Sequence, residues 1–158
     1  MPTHKIAGLL IAGLLLSAAP ARSAPCLEIQ SVRLSADPER NMAEGGRLAR
    51  HILGAVPPPK AGQSVGTPMF ADRRAWDAAW QALIGHPGQL LCGDEIGSTQ
   101  YGKTLSVQVP SMRCEETDGA GRCVRARPFT SETVTYVFEV SGPPEAPAWI
   151  LGTAYPKP

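Results

Sequence analysis

The chain has 158 residues, with 15 Lys and Arg against 14 Asp and Glu and a formal net charge of +1 at pH 7. Near-balanced charge with scattered Arg residues leaves no basic stripe to neutralise a run of phosphates, so no nucleic-acid partner is expected. No segment pairs a basic face with a strongly apolar one, and nothing supports binding to a membrane surface.

Residues 1–24 have the three parts of a secretory signal: a basic start at His4 and Lys5, an apolar run from Ile6 to Leu16, and a stretch of small residues. An apolar run of that length, at about 1.5 Å per residue, reaches only about half of a hydrocarbon core. A cleaved signal is therefore expected rather than a stable membrane anchor. Ala21 and Ser23 stand at the small-residue positions, which places cleavage after Ser23. Residues 1–23 are then the signal, and residues 24–158 one disulfide-stapled domain in the periplasm or secreted. Cleavage removes Lys5 and Arg22 and no acid, so 15 basic residues become 13 against 14 acidic ones, a net charge of about minus one.

Residues 26–35, C-L-E-I-Q-S-V-R-L-S, alternate in apolarity with one slip of phase and predict a strand with a bulge. Asp37 before Pro38 and Glu39 is a helix start: a capping carboxylate, a proline at the first position, and an acid in the first turn. The predicted helix runs to about Leu53 with Met42, Ala49, Ile52 and Leu53 on its apolar face. Gly45 and Gly46 in its middle weaken it by about 1 kcal/mol each and offer a point of breakage. Residues 56–68, with three consecutive prolines, read as an extended surface connection. A second helix runs from Asp72 as cap to Ile84, stopped by Gly85 and Pro87. Trp76, Ala79, Trp80, Leu83 and Ile84 share one face. Trp76 and Trp80, one turn apart, are candidate stacking residues for a ligand, although the continuing apolar stripe reads first as a core face.

Four cysteines, Cys26, Cys92, Cys114 and Cys123, lie in the exported part. Their spacing lacks the paired short intervals of a zinc site, and no metal or other cofactor is expected. The turn-rich stretch E-E-T-D-G-A-G-R favours pairing Cys114 with Cys123, which leaves Cys26 with Cys92. Asp94 and Glu95, between Cys92 and Gly97, are candidate binding acids in a polar loop.

From Gly97 the chain reads G-S-T-Q-Y-G-K-T and meets the phosphate-loop pattern at every fixed position. Such a loop must follow a strand and open a helix, whereas Thr104 here opens the alternating segment T-L-S-V-Q-V. Nucleotide binding through Gly97 to Thr104 is the most remote of the functional readings. Residues 104–109 predict a strand with Leu105, Val107 and Val109 on one face and a change of phase after Pro110. Beyond the cysteine loop, Val124 and Ala126 alternate with Arg125 and Arg127, two candidate contacts for an acidic partner. Residues 133–140 are the clearest strand, with Val134, Tyr136, Phe138 and Val140 inward. Residues 148–155 are apolar on both faces, as expected of a strand paired centrally or covered by a helix.

These elements predict one α+β domain with a four- or five-stranded, mostly antiparallel sheet and one or two helices packed on one face. No H-E-x-x-H helix is present, and no catalytic residues are assigned. The favoured reading is a non-enzymatic exported binding or inhibitor-like protein with a protein or small-molecule partner in the periplasm. The alternative is a periplasmic small-molecule binder or hydrolase with a cleft between the sheet and the Trp76/Trp80 helix.

Overall fold

A computed structural model describes residues 29–57, 62–86, 100–143 and 145–158. It contains the helices α1 (Ile29–Leu34), α2 (Pro38–Ala43) and α3 (Arg73–Ile84), with a 3-10 turn at Leu48–His51. The strands are β1 (Pro68–Phe70), β2 (Gln100–Thr117), β3 (Cys123–Ser141) and β4 (Ala148–Lys157). They form one antiparallel sheet in the order β1-β2-β3-β4. The predicted α+β architecture is therefore present, in its four-stranded form.

The predicted N-terminal strand is corrected. Its described part, Ile29–Leu34, is helical. Val32 and Ala36, four residues apart, enter the core, while Leu34, half of the supposed second strand face, is 51% exposed. Helical spacing rather than alternation thus decides which side chains are buried. Asp37 caps α2 as expected, accepting from the backbone N–H groups of Glu39 (3.1 Å) and Arg40 (3.0 Å). The next helix is shorter than predicted and does break at the glycine pair. Gly45 has φ +90°, open to few other residues, and Gly46 abuts the Asn41 side chain so closely that a Cβ would overlap it.

The Trp-bearing helix forms as predicted, with Asp72 accepting from the Ala75 N–H at 2.8 Å and Gly85 at its C-cap. Its apolar face meets the sheet. Trp76 packs on Phe70 and Tyr136, with ring centroids 5.4 and 6.5 Å away. The indole Nε1–H donates to the Ala36 carbonyl at 3.0 Å and the Tyr136 hydroxyl donates to the Ala79 carbonyl at 2.6 Å. Each buried aromatic thus has its polar end satisfied. Leu105, Val109, Val134, Phe138 and Leu151 complete this core from the sheet side.

The sheet departs from expectation in two places. β1 was not anticipated. It pairs with β2 through Pro68 opposite Arg113, Met69 opposite Met112 and Phe70 opposite Ser111. β2 does not end near Pro110 but continues to Thr117, with ladder irregularities between Ser106 and Val109 and again from Cys114 to Thr117. β4 is an edge strand covered by the N-terminal elements, so the second of the two expected explanations for its two apolar faces holds. The Leu151 N–H donates to Ser35 Oγ at 2.7 Å, and the Arg47 N–H to the Gly152 carbonyl at 2.6 Å. The same covering segment reaches the opposite edge, where Ile52 bridges Phe70 and the Leu53 N–H donates to the Phe70 carbonyl at 3.0 Å. Residues 47–53 therefore tie β4 to β1, the two outer strands of the sheet.

Candidate functional site: the stapled end of the β2–β3 ribbon

β2 and β3 are each nearly twice as long as β4, and only Thr133–Ser141 of β3 pairs with β4. Residues 123–132 of β3 have β2 on one side and, among the described residues, no strand on the other. This distal ribbon ends in a turn built by one carboxylate. Asp118 Oδ1 accepts from the N–H groups of Ala120 and Arg122, both at 2.9 Å, and Oδ2 accepts from the Arg122 guanidinium at 2.8 Å. The Asp118 N–H donates to the Arg122 carbonyl and the Gly121 N–H to the Asp118 carbonyl, which closes the loop, and Gly121 supplies its φ of +71°. The N–H groups aimed at the carboxylate, that of Arg122 first, hold Asp118 below the usual carboxylate range.

The expected bridge between Cys114 and Cys123 is present, with Cα atoms 5.7 Å apart. Cys114 is opposite Ala126 and Cys123 opposite Thr117, so the bridge runs diagonally and depends on the ladder irregularity between them. Cys114 lies inside, 1% exposed. The loop before β1 braces the hairpin from one side. The Gln63 N–H donates to the Gly121 carbonyl at 2.8 Å, its side-chain oxygen accepts from the Cys123 N–H at 2.6 Å, and its amide donates to the Ile52 carbonyl at 3.3 Å. The hairpin is thus anchored to the chain before β1 as well as to its own ribbon.

The direction of the free backbone groups follows from the other side of the ribbon. Cys114 exchanges both its backbone bonds with the loop at Gly66 and Thr67, and the Pro110 carbonyl accepts from Ala71. Those β2 residues therefore turn away from β3, and in an antiparallel ladder their partners Ala126 and Thr130 turn away from β2. Pro128, opposite Met112 between them, falls in the same phase. Both prolines of the ribbon sit where a missing N–H removes no bond from the β2–β3 ladder, and Pro128 leaves a gap in the donors of the open edge.

Arg125 and Arg127 are both exposed and lie on this distal ribbon. Arg125 reaches Glu115 at 3.6 Å and Glu116 at 3.5 Å, and Arg127 reaches Glu115 at 3.6 Å. Exposed pairs of this length contribute little stability, about 1 kcal/mol or less each. Val124 is 60% exposed rather than inward, because the ribbon here has passed the end of the core. Arg113 lies opposite Arg127, with its guanidinium 5.7 Å from the centre of the Phe129 ring. Arg113, Arg127, Pro128 and Phe129 line a depression of about 280 Å³.

The other candidates lie elsewhere or beyond view. Trp76, 1% exposed, is enclosed in the core, while Trp80 lies beside it, half-buried, at 5.9 Å. Asp94 and Glu95, the cysteines Cys26 and Cys92, the signal at residues 1–23 and the first part of the Gly97 motif lie outside the described residues. The rest of that motif is strand: Lys103 and Thr104 stand within β2, and Thr104 Oγ1 is 2.9 Å from Thr135 Oγ1.

Asn41, a buried polar residue, escaped sequence reasoning. Asn41 donates to the carbonyls of Ser35 and Leu151 and accepts from the Leu48 N–H, joining α2, the 3-10 turn and β4. His51 Nδ1 is 2.8 Å from the Pro68 carbonyl, and its ring packs against Tyr155. Burial lowers the His51 pKa to about 4 despite that hydrogen bond, with Arg50 and Arg47 adding to the effect. A polar residue at an apolar phase of a short helix is the only signal that marked Asn41. Among the described residues, no three or more His, Cys, Asp and Glu gather as metal ligands, and no helix is long and apolar enough to cross a membrane.

Comparison of the chain with protein-family models, with curated proteins and with solved structures finds no match.

Proposed function

We infer that the chain is an exported, non-enzymatic binding or inhibitor-like protein that acts through the distal β2–β3 ribbon. The observation that carries this reading is the construction of that end. A disulfide, a carboxylate-closed turn and the Gln63 brace hold a two-stranded ribbon whose outer edge has no strand against it among the described residues. A surface held in one conformation before contact loses less conformational entropy on binding, by about 0.5–1.5 kcal/mol for each side chain already ordered. The bridge also fits an oxidising compartment, in agreement with the signal-like N-terminus.

The test is photo-crosslinking in periplasm with a photoreactive residue at Val124, which projects from the ribbon. A matched chain has residues 115–122 replaced by a short Gly-rich turn. The reading expects a defined adduct with the first chain and its loss with the second. The same adducts from both would count heavily against a role for the hairpin.

A further inference from the structure

The ribbon carries three guanidinium groups, at Arg113, Arg125 and Arg127, and only two carboxylates that pair with any of them, Glu115 and Glu116. Arg113 and Arg127 are directly opposite across the β2–β3 ladder, a like-charge pairing that is unfavourable in itself. Arg125 and Arg127 share Glu115, and Arg125 also takes Glu116. Among the described residues no carboxylate lies within ion-pair distance of Arg113. Its guanidinium instead lies over the ring of Phe129, which is diagonal to it because Phe129 is opposite Ser111, two residues along β2. An aromatic face attracts the cation but does not accept its directed N–H bonds, so the donors of the half-buried Arg113 retain capacity for an anion.

The geometry points to a carboxylate site formed by Arg113, Arg127 and Phe129, which takes an acidic side chain of a protein partner. The depression between these residues and Pro128 is about 280 Å³. That lies close to the lower end of the range of about 300–1,000 Å³ for cofactor and drug-sized pockets and leaves room for an acidic side chain. Phe129 holds the Arg113 fork in place, and a planar fork matches a carboxylate by two parallel bonds. One surplus cation balances one carboxylate; a nucleic-acid backbone would require a row of them. The proposal rests on the reading of the ribbon as a binding surface and names the chemistry of its partner.

The test is an NMR titration of the full exported chain with a blocked Ala-Glu repeat peptide, its Ala-Gln counterpart, and inorganic phosphate. The Glu peptide is expected to shift the Arg113, Arg127 and Phe129 signals at millimolar concentration, with an affinity that falls as salt is added. The Gln peptide should leave them unmoved. Arg113→Gln should weaken the Glu peptide by about tenfold or more, and Arg113→Lys by less. Equal response to the Glu and Gln peptides, or an Arg113→Gln variant that binds as well, overturns the site, as does phosphate binding more tightly than the Glu peptide. The wild-type comparison of the Glu and Gln peptides decides the matter even if a variant folds poorly. If the titration fails while hairpin replacement still removes the crosslinked partner, the carboxylate site falls and the ribbon reading stands.

Discussion

Replacing both Cys114 and Cys123 with Ala isolates what the staple contributes. The bridge joins residues nine positions apart. In the chain-entropy account, closing a loop of that length removes about 9 cal/mol/K from the unfolded chain, or about 2.5 kcal/mol at 25 °C. For a domain of roughly 130 residues, with an unfolding entropy near 2.1 cal/mol/K per residue, that corresponds to a fall in melting temperature of about 9 °C. The double substitution is preferable to reductant because it leaves Cys26 and Cys92 untouched. Urea unfolding of the two chains, followed by fluorescence, gives the difference directly, and an unchanged slope would show that the same surface is exposed. Because the effect lies mainly in the unfolded chain, the native amide spectrum should change only near the hairpin. A loss below about 1 kcal/mol would refute the argument, and would mean that the Asp118 turn and the Gln63 brace already close this loop in the unfolded ensemble.

Asn41→Ala removes three buried hydrogen bonds and leaves the Leu48 N–H without its partner; a loss of about 3–5 kcal/mol is expected in urea unfolding, and less than about 1 kcal/mol would show that the site relaxes. His51 is neutral in the fold down to a pKa of about 4 but follows its ordinary value of 6.5 when unfolded, so the unfolded chain takes up the proton first. The His51 contribution to stability is therefore whole above about pH 6.5 and is lost as pH falls to about 4, on the order of 3 kcal/mol. Unfolding measured across that window should show this slope in the wild type and a flatter one in His51→Gln; equal slopes would refute the assignment. Pro128→Val restores a donor to the open edge of β3, so self-association should appear on sizing with light scattering at concentrations where the wild type does not associate. A variant as monodisperse as the wild type would show that something other than Pro128 guards this edge.

Local chemistry was legible in the sequence wherever its cause lies within a few residues. Asp37 and Asp72 were identified as caps because a short carboxylate reaches N–H groups two or three positions ahead, and both make those bonds. The glycine pair at Gly45 and Gly46 marked the break in the helix, the alternation of residues 133–140 marked the central strand, and the turn residues between Cys114 and Cys123 marked their bridge. Tertiary structure alone decided the matters that depend on a distant partner. The apolar residues of Ile29–Leu34 admit two spacings, and contact with β4 selects the helical one. β1 has only three residues and exists because β2 supplies its hydrogen bonds. β4 is apolar on both faces because residues 35–53 fold over an edge strand, satisfying its backbone through Ser35, Asn41 and Arg47. The placement of Arg113 opposite Arg127 follows from a register set by the ladder irregularities and the hairpin turn. Each residue carries its charge in the sequence, but only pairing across the sheet decides which charges become neighbours.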